Sequence, residues 1–112
     1  FAIKGAECQI QPDVLKACQS FANANKPAAY ICIAPAMIPL IYGAGTLATI
    51  GHDEGTANAM EAMGGSHLNC PVNEFVVDQE RKVISTPAYM LANNIVEAAD
   101  GIEKTVKQLL AL

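Results

Sequence analysis

The sequence has 112 residues, about one domain's worth of chain. A chain of that size buries roughly 65% of its unfolded surface and needs no staples. Hydrophobic residues make up 52% and charged residues 16%, a balance that excludes a disordered polar chain. A formal charge of −4 argues against a nucleic-acid or anionic-membrane surface. No apolar run reaches the ~18 residues of a membrane-spanning helix.

The spacing of Val14, Cys18 and Phe21 predicts a helix from Pro12 to Asn23, with Pro12 in the first turn. Asn25-Lys26-Pro27 ends it. Ala28–Ala34 is a continuous apolar run with a β-branched and aromatic centre, which predicts a central parallel strand buried on both faces. Pro35 and Pro39 permit only a short or kinked helix across Ala36–Tyr42. Gly43-Ala44-Gly45 turns the chain into a second strand, Thr46–Ile50, the expected neighbour of the first. Thr56 is the expected cap of a helix that runs to Met63 and stops at Gly64-Gly65, with Met60 and Met63 inward. Phe75–Asp78 and Val83–Thr86 flank a polar four-residue loop, the pattern of a hairpin with a solvated tip from Asp78 to Lys82. After Pro87 one helix is expected through Leu91, Ile95 and Ala99. Asp100 with Glu103 then forms a capping box for a last helix that turns Ile102, Val106 and Leu109 inward.

This order is that of an α/β layer fold. Its strands do not close, because a run as apolar as Ala28–Ala34 needs a neighbour on each side and one flank has none. With the absent initiator Met, this leads to the expectation that the chain is the C-terminal part of one longer domain. Four cysteines without a CxxC pair, and no Asn-x-Ser/Thr sequon, point to a reduced intracellular compartment.

Gly43-Ala44-Gly45-Thr46-Leu47-Ala48 has the letters of a dinucleotide fingerprint but precedes a strand and lacks the later acid, so it reads as a turn. Cys32 stands near the end of the buried strand, before a short helix, at the crevice where open α/β sheets bind ligands. It is either a nucleophile, favoured by the partial charge of a helix N-terminus, or a small buried hydrophobe. His52 follows the next strand. It is either a base brought to the same sheet edge or a solvated loop residue beside Asp53 and Glu54. His67 and Cys70 have H-x-x-C spacing with no second pair, so no metal site is expected and both read as structural. Cys8 and Cys18 read as packing residues.

Lys26-Pro27, Cys32-Ile33-Ala34-Pro35-Ala36-Met37, Thr49-Ile50-Gly51-His52 and Thr86-Pro87-Ala88-Tyr89-Met90 together resemble the ElbB family of the PfpI-type, class I glutamine-amidotransferase-like superfamily. The likeness runs through the whole chain and matches the C-terminal half of the family's usual length. It implies a flavodoxin-like three-layer sandwich with a mostly parallel sheet, Cys32 at a nucleophile elbow, and the Ile33 N–H in the oxyanion hole. It also implies cofactor-independent glyoxalase chemistry on a 2-oxoaldehyde, with Cys32 and His52 catalytic, and a link to isoprenoid biosynthesis. The protease and amidase branches carry His directly after the nucleophile, where this chain has Ile33. An acidic partner for the cysteine and further oxyanion donors are expected upstream of Phe1. The expected partners are a small 2-oxoaldehyde and either a second copy or the missing N-terminal half, with no nucleic acid and no membrane. The expected compartment is the cytoplasm, or the mitochondrion in a eukaryote. The alternative is a non-catalytic, redox-responsive or interaction protein of the same superfamily.

Overall fold

A computed structural model describes all of residues 1–112. Helix α1 spans Pro12–Asn23, with Pro12 in its first turn and the Gln11 side chain accepting the Val14 N–H. Strand β1 follows as Ala28–Ile31, shorter than the apolar run because the chain turns at Cys32 and Ile33. A 3-10 turn, Ala34–Met37, continues into the five-residue helix α2, Ile38–Tyr42. Strand β2 is Leu47–Ala48, helix α3 is Glu54–Ala62, and strand β3 is Ser66–His67. The hairpin is β4, Val76–Asp78, with β5, Val83–Thr86. A 3-10 turn, Ala88–Met90, leads to helix α4, Ile95–Ala111.

The main sheet has the order β1-β5-β4. β1 and β5 are parallel, with Ala28 opposite Val83 and Ile31 opposite Thr86, while β4 and β5 are antiparallel. β1 is therefore an edge strand and β5 the central one, the reverse of the sequence expectation. β2 does not pair with β1 either: it pairs in parallel with β3, Leu47 opposite Ser66. Side chains, not a backbone ladder, hold β2 to the main sheet. The Leu47 N–H donates to Asp78 Oδ2 at 2.9 Å, and the Thr49 N–H donates to Ser85 Oγ at 2.9 Å. Asp78 is thus 6% exposed and structural, not part of a solvated tip. Its carboxyl is raised by burial, but the N–H groups of Leu47 and Arg81 and the Arg81 guanidinium outweigh this and hold it below the usual carboxylate range.

Successive strand residues face opposite sides of the sheet. Tyr30 and Val83 join Ile38, Ala48, Ile50 and Met60 in one core, with Cys18 of α1 packed against it. The other face meets α4, which packs on both β1 and β5. Helices thus cover the sheet from two sides. Its β1–β5 pairing is parallel and its β4–β5 pairing antiparallel, while β2 and β3 form a separate parallel pair.

Three helix expectations are corrected. The cap of α3 is Asp53, whose carboxylate accepts both the Thr56 N–H at 3.0 Å and its hydroxyl at 2.6 Å. An aspartate three residues earlier satisfies the orphan donors that Thr56 was expected to serve. The two last helices are one, capped by Asn94, which accepts the Glu97 N–H at 3.0 Å. Asp100 lies inside it, near Lys104. The buried stripe of α4 is Ala98, Gly101 and Thr105, while Val106 is 44% exposed. Gly101 is required there, since a Cβ would drive into the Val72 carbonyl.

Candidate functional site

β1 and β5 leave the sheet side by side, and both do so through a left-handed residue that is not glycine. Cys32 has φ 68° and Ala88 has φ 45°. A β-carbon in that region crowds the following carbonyl and costs about 1–2 kcal/mol, so it persists only where the surrounding structure imposes it. At Cys32 the constraint is visible on both sides. Its N–H donates to the Thr86 carbonyl at 3.1 Å, the last rung of the ladder, and the Ile33 carbonyl accepts the Ala36 N–H at 3.0 Å to start the next turn. The sharp strand-to-turn step leaves Cys32 half-buried and Ile33 43% exposed. The Ile33 N–H donates to no group of the chain. The segment after Cys32 is a four-residue turn and a five-residue helix, so helix-dipole support for the sulfur is small.

An apolar cavity of about 480 Å³ opens beside this step, walled by Ile33, Ala34 and Met37 on one side and by Cys8, Ile10 and Val14 on the other. His52 is exposed and lines a different, polar cavity with Glu54, Glu61 and His67. The bonds from Leu47 to Asp78 and from Thr49 to Ser85 show that β2 runs in the same sense as β5. Cys32 and His52 therefore stand at the same end of the strands, with the end of β5 between them, and no hydrogen bond joins them.

His67 Nε2 accepts the Ile50 N–H at 3.1 Å, which fixes the chain just before His52. Burial lowers its pKa, and the nearby Glu61 partly offsets this. Cys70 is 3% exposed, and burial, reinforced by Glu74, pushes its thiol up to about 11. His67 thus holds the backbone at Ile50, and Cys70 is packed away from solvent. Cys18 packs on the core beside Tyr30, whose phenol meets that of Tyr42 at 3.2 Å. Burial, and then the neighbouring Tyr42, push the Tyr30 phenol far above its ordinary range. The strained Ala88 has no signal in composition or periodicity. Only the turn-prone Pro87 before it marks the place.

No protein-family model matches the chain. Two curated mammalian proteins are similar to it over its whole length. The rat "ES1 protein homolog, mitochondrial" is 35% identical, and the human "Glutamine amidotransferase-like class 1 domain-containing protein 3, mitochondrial" is 34% identical. A crystal structure of an isoprenoid biosynthesis protein with an amidotransferase-like domain from Ehrlichia chaffeensis superposes on 92% of the chain, with a TM-score of 0.84 and 30% identity. The chain belongs to the glutamine-amidotransferase-like superfamily. Its fold is the flavodoxin-like α/β fold of that class. The chain spans about half the length of the relatives it matches: 45% of each mammalian protein and 48% of the Ehrlichia chain.

Proposed function

We propose that this glutamine-amidotransferase-like chain carries the nucleophile of an ElbB-like, cofactor-independent glyoxalase that converts 2-oxoaldehydes such as glyoxal and methylglyoxal to 2-hydroxy acids. The observation that carries this reading is the left-handed Cys32 at the end of β1, followed by the unengaged Ile33 N–H. A strained turn of this kind presents a nucleophile at the top of a sheet and aims the next N–H at the oxyanion it creates.

In this mechanism the Cys32 thiolate attacks the aldehyde carbon. A sulfur–carbon bond forms, and the carbonyl electron pair moves to oxygen, where the Ile33 N–H meets it. A base removes the hydrogen from that carbon and a proton is returned to the neighbouring one, giving a thioester of the hydroxy acid. Water adds to the thioester, the thiolate leaves, and the hydroxy acid is released. His52 is our candidate for the base, since it is exposed and stands at the same edge as the nucleophile.

The same reading makes this chain one part of a larger domain. β1 has a partner on one side only, and α1 buries none of its residues. We assign the cover to the remaining half of the superfamily domain or to a second copy, and the further oxyanion donors and acidic partner to that cover. The mammalian relatives are mitochondrial by name. A mitochondrial setting is proposed for this chain if its source is eukaryotic, and a cytoplasmic one otherwise.

The test is methylglyoxal conversion to lactate by the intact protein, followed by proton NMR. Cys32→Ser abolishes it, and His52→Ala lowers it by about 10²-fold, the usual contribution of a positioned base. Limiting iodoacetamide with peptide mapping labels Cys32 ahead of Cys70. Turnover that survives Cys32→Ser overturns the assignment.

A further inference from the structure

In the ten residues from Val83 to Ala92 every side chain is buried or half-buried except one. Tyr89 is 61% exposed, while its neighbour Ala88 is fully buried. Burial alone favours the opposite arrangement, because an aromatic ring removes far more apolar surface from water than a methyl group does. The left-handed step at Ala88, φ 45°, produces the inversion by tucking the methyl into the core and turning the phenol out. Two further non-glycine residues have positive φ, Asn25 and Lys82, and both precede these same strands at their other ends, in turns. The strain at the far ends, at Cys32 and Ala88, sits where the ladder closes with the Cys32 N–H on Thr86.

The position of Tyr89 follows from the strand order. β5 lies directly beside β1, and the chain that leaves β2 along β5 reaches Gly51, where an added Cβ would press on the Leu91 side chain. The turn that carries Tyr89 therefore stands between the Cys32 edge and the His52 edge. Attack on a 2-oxoaldehyde needs two oxygens stabilised. One is the oxyanion on the attacked carbon, which the Ile33 N–H meets. The other is the oxygen of the adjacent ketone, which gains charge when the proton moves between the carbons. Within this chain Ile33 offers one N–H, which cannot serve both.

We infer that Tyr89 is a specificity-determining residue of the Cys32 site, with its hydroxyl donating a hydrogen bond to the carbonyl oxygen adjacent to the attacked carbon. The inference rests on Cys32 being the nucleophile and adds the group that distinguishes a 2-oxoaldehyde from a simple aldehyde.

The experiment compares two thiol reagents on the intact protein. Bromoacetone carries a ketone next to the carbon that sulfur attacks, and it loses bromide. Methyl methanethiosulfonate carries no carbonyl, and it loses methanesulfinate. Modification at Cys32 is followed by peptide mass mapping in wild type and Tyr89→Phe, a variant that keeps the exposed ring. Loss of one hydrogen bond to developing charge slows the bromoacetone reaction about tenfold and leaves the thiosulfonate rate within about twofold. Equal slowing of both reactions, or of neither, overturns the inference. A bromoacetone-specific loss without methylglyoxal turnover upholds Tyr89 and rejects the glyoxalase reading. Turnover that Tyr89→Phe leaves intact, with unchanged reagent rates, does the reverse.

Discussion

β5 has a partner on each side and all four of its residues are buried, whereas β1, lying beside it, has a partner on one side and buries Tyr30 alone. The helices divide in the same way. α4 buries Ala98, Gly101 and Thr105, while α1, with its proline start and side-chain cap, buries nothing, and Val14 and Phe21 are 43% and 48% exposed. Local chemistry suffices to form both halves, but only the β5 half is completed by its own chain. The difference teaches where the stability resides and which strand edge and helix face the chain itself leaves uncovered.

The largest expected effect lies in the completed half. Ile84→Ala removes a fully buried side chain of β5 and costs about 3 kcal/mol of unfolding free energy in a urea titration. A cost comparable to that of an exposed site breaks the comparison. Next is Asp78→Asn, which weakens the link from the hairpin to β2 and costs about 2 kcal/mol by the same measurement. Because the folded Asp78 pKa lies below its unfolded value, its contribution is fully present above the unfolded pKa. It is lost as pH falls through the folded one. The variant should therefore flatten the acid limb of the stability curve below about pH 4.

His67 gives a smaller effect with the same sign. Its folded pKa is also lowered, so its contribution is present above about pH 6.5, the unfolded value, and declines as pH falls through the folded one. Protonation ends the acceptance from Ile50, worth on the order of 1 kcal/mol, and His67→Gln should remove that step from a stability-against-pH curve. The smallest effect is Phe21→Ala on α1, within about 0.5 kcal/mol for the chain by itself. A cost of several times that value means the α1 face is covered in solution. Light scattering combined with denaturing mass analysis then tells a second copy from a companion fragment.

The same division governs what the sequence made legible. α1 and the β4–β5 hairpin were readable because their signals are local: helical spacing behind Pro12, and two β-rich runs around a polar loop. The partner of β2 was not readable. Strand pairing is non-local, and nothing in Leu47-Ala48 distinguishes Ser66-His67 from Ala28–Ile31 as its neighbour. In α4 two acid-containing cap patterns compete, Asn94 with Glu97 and Asp100 with Glu103, and tertiary packing of Ala98 on the sheet selects the first. Cys32 was legible as a residue type at a strand end. Its left-handed backbone was not, because strain is imposed by the ladder to Thr86 and leaves no mark in composition. The outward turn of Tyr89 depends on the same kind of imposed conformation one strand away.

Gly101 sets a mechanical property of the molecule. With no side chain between the axis of α4 and the Val72 carbonyl, helix and loop meet backbone to backbone. A slide of α4 by one turn along its own axis would bring the methyl of Ala98 or the branched side chain of Thr105 onto that carbonyl, and neither fits where a single Cβ already has no room. The helix is thus notched against translation along its own axis.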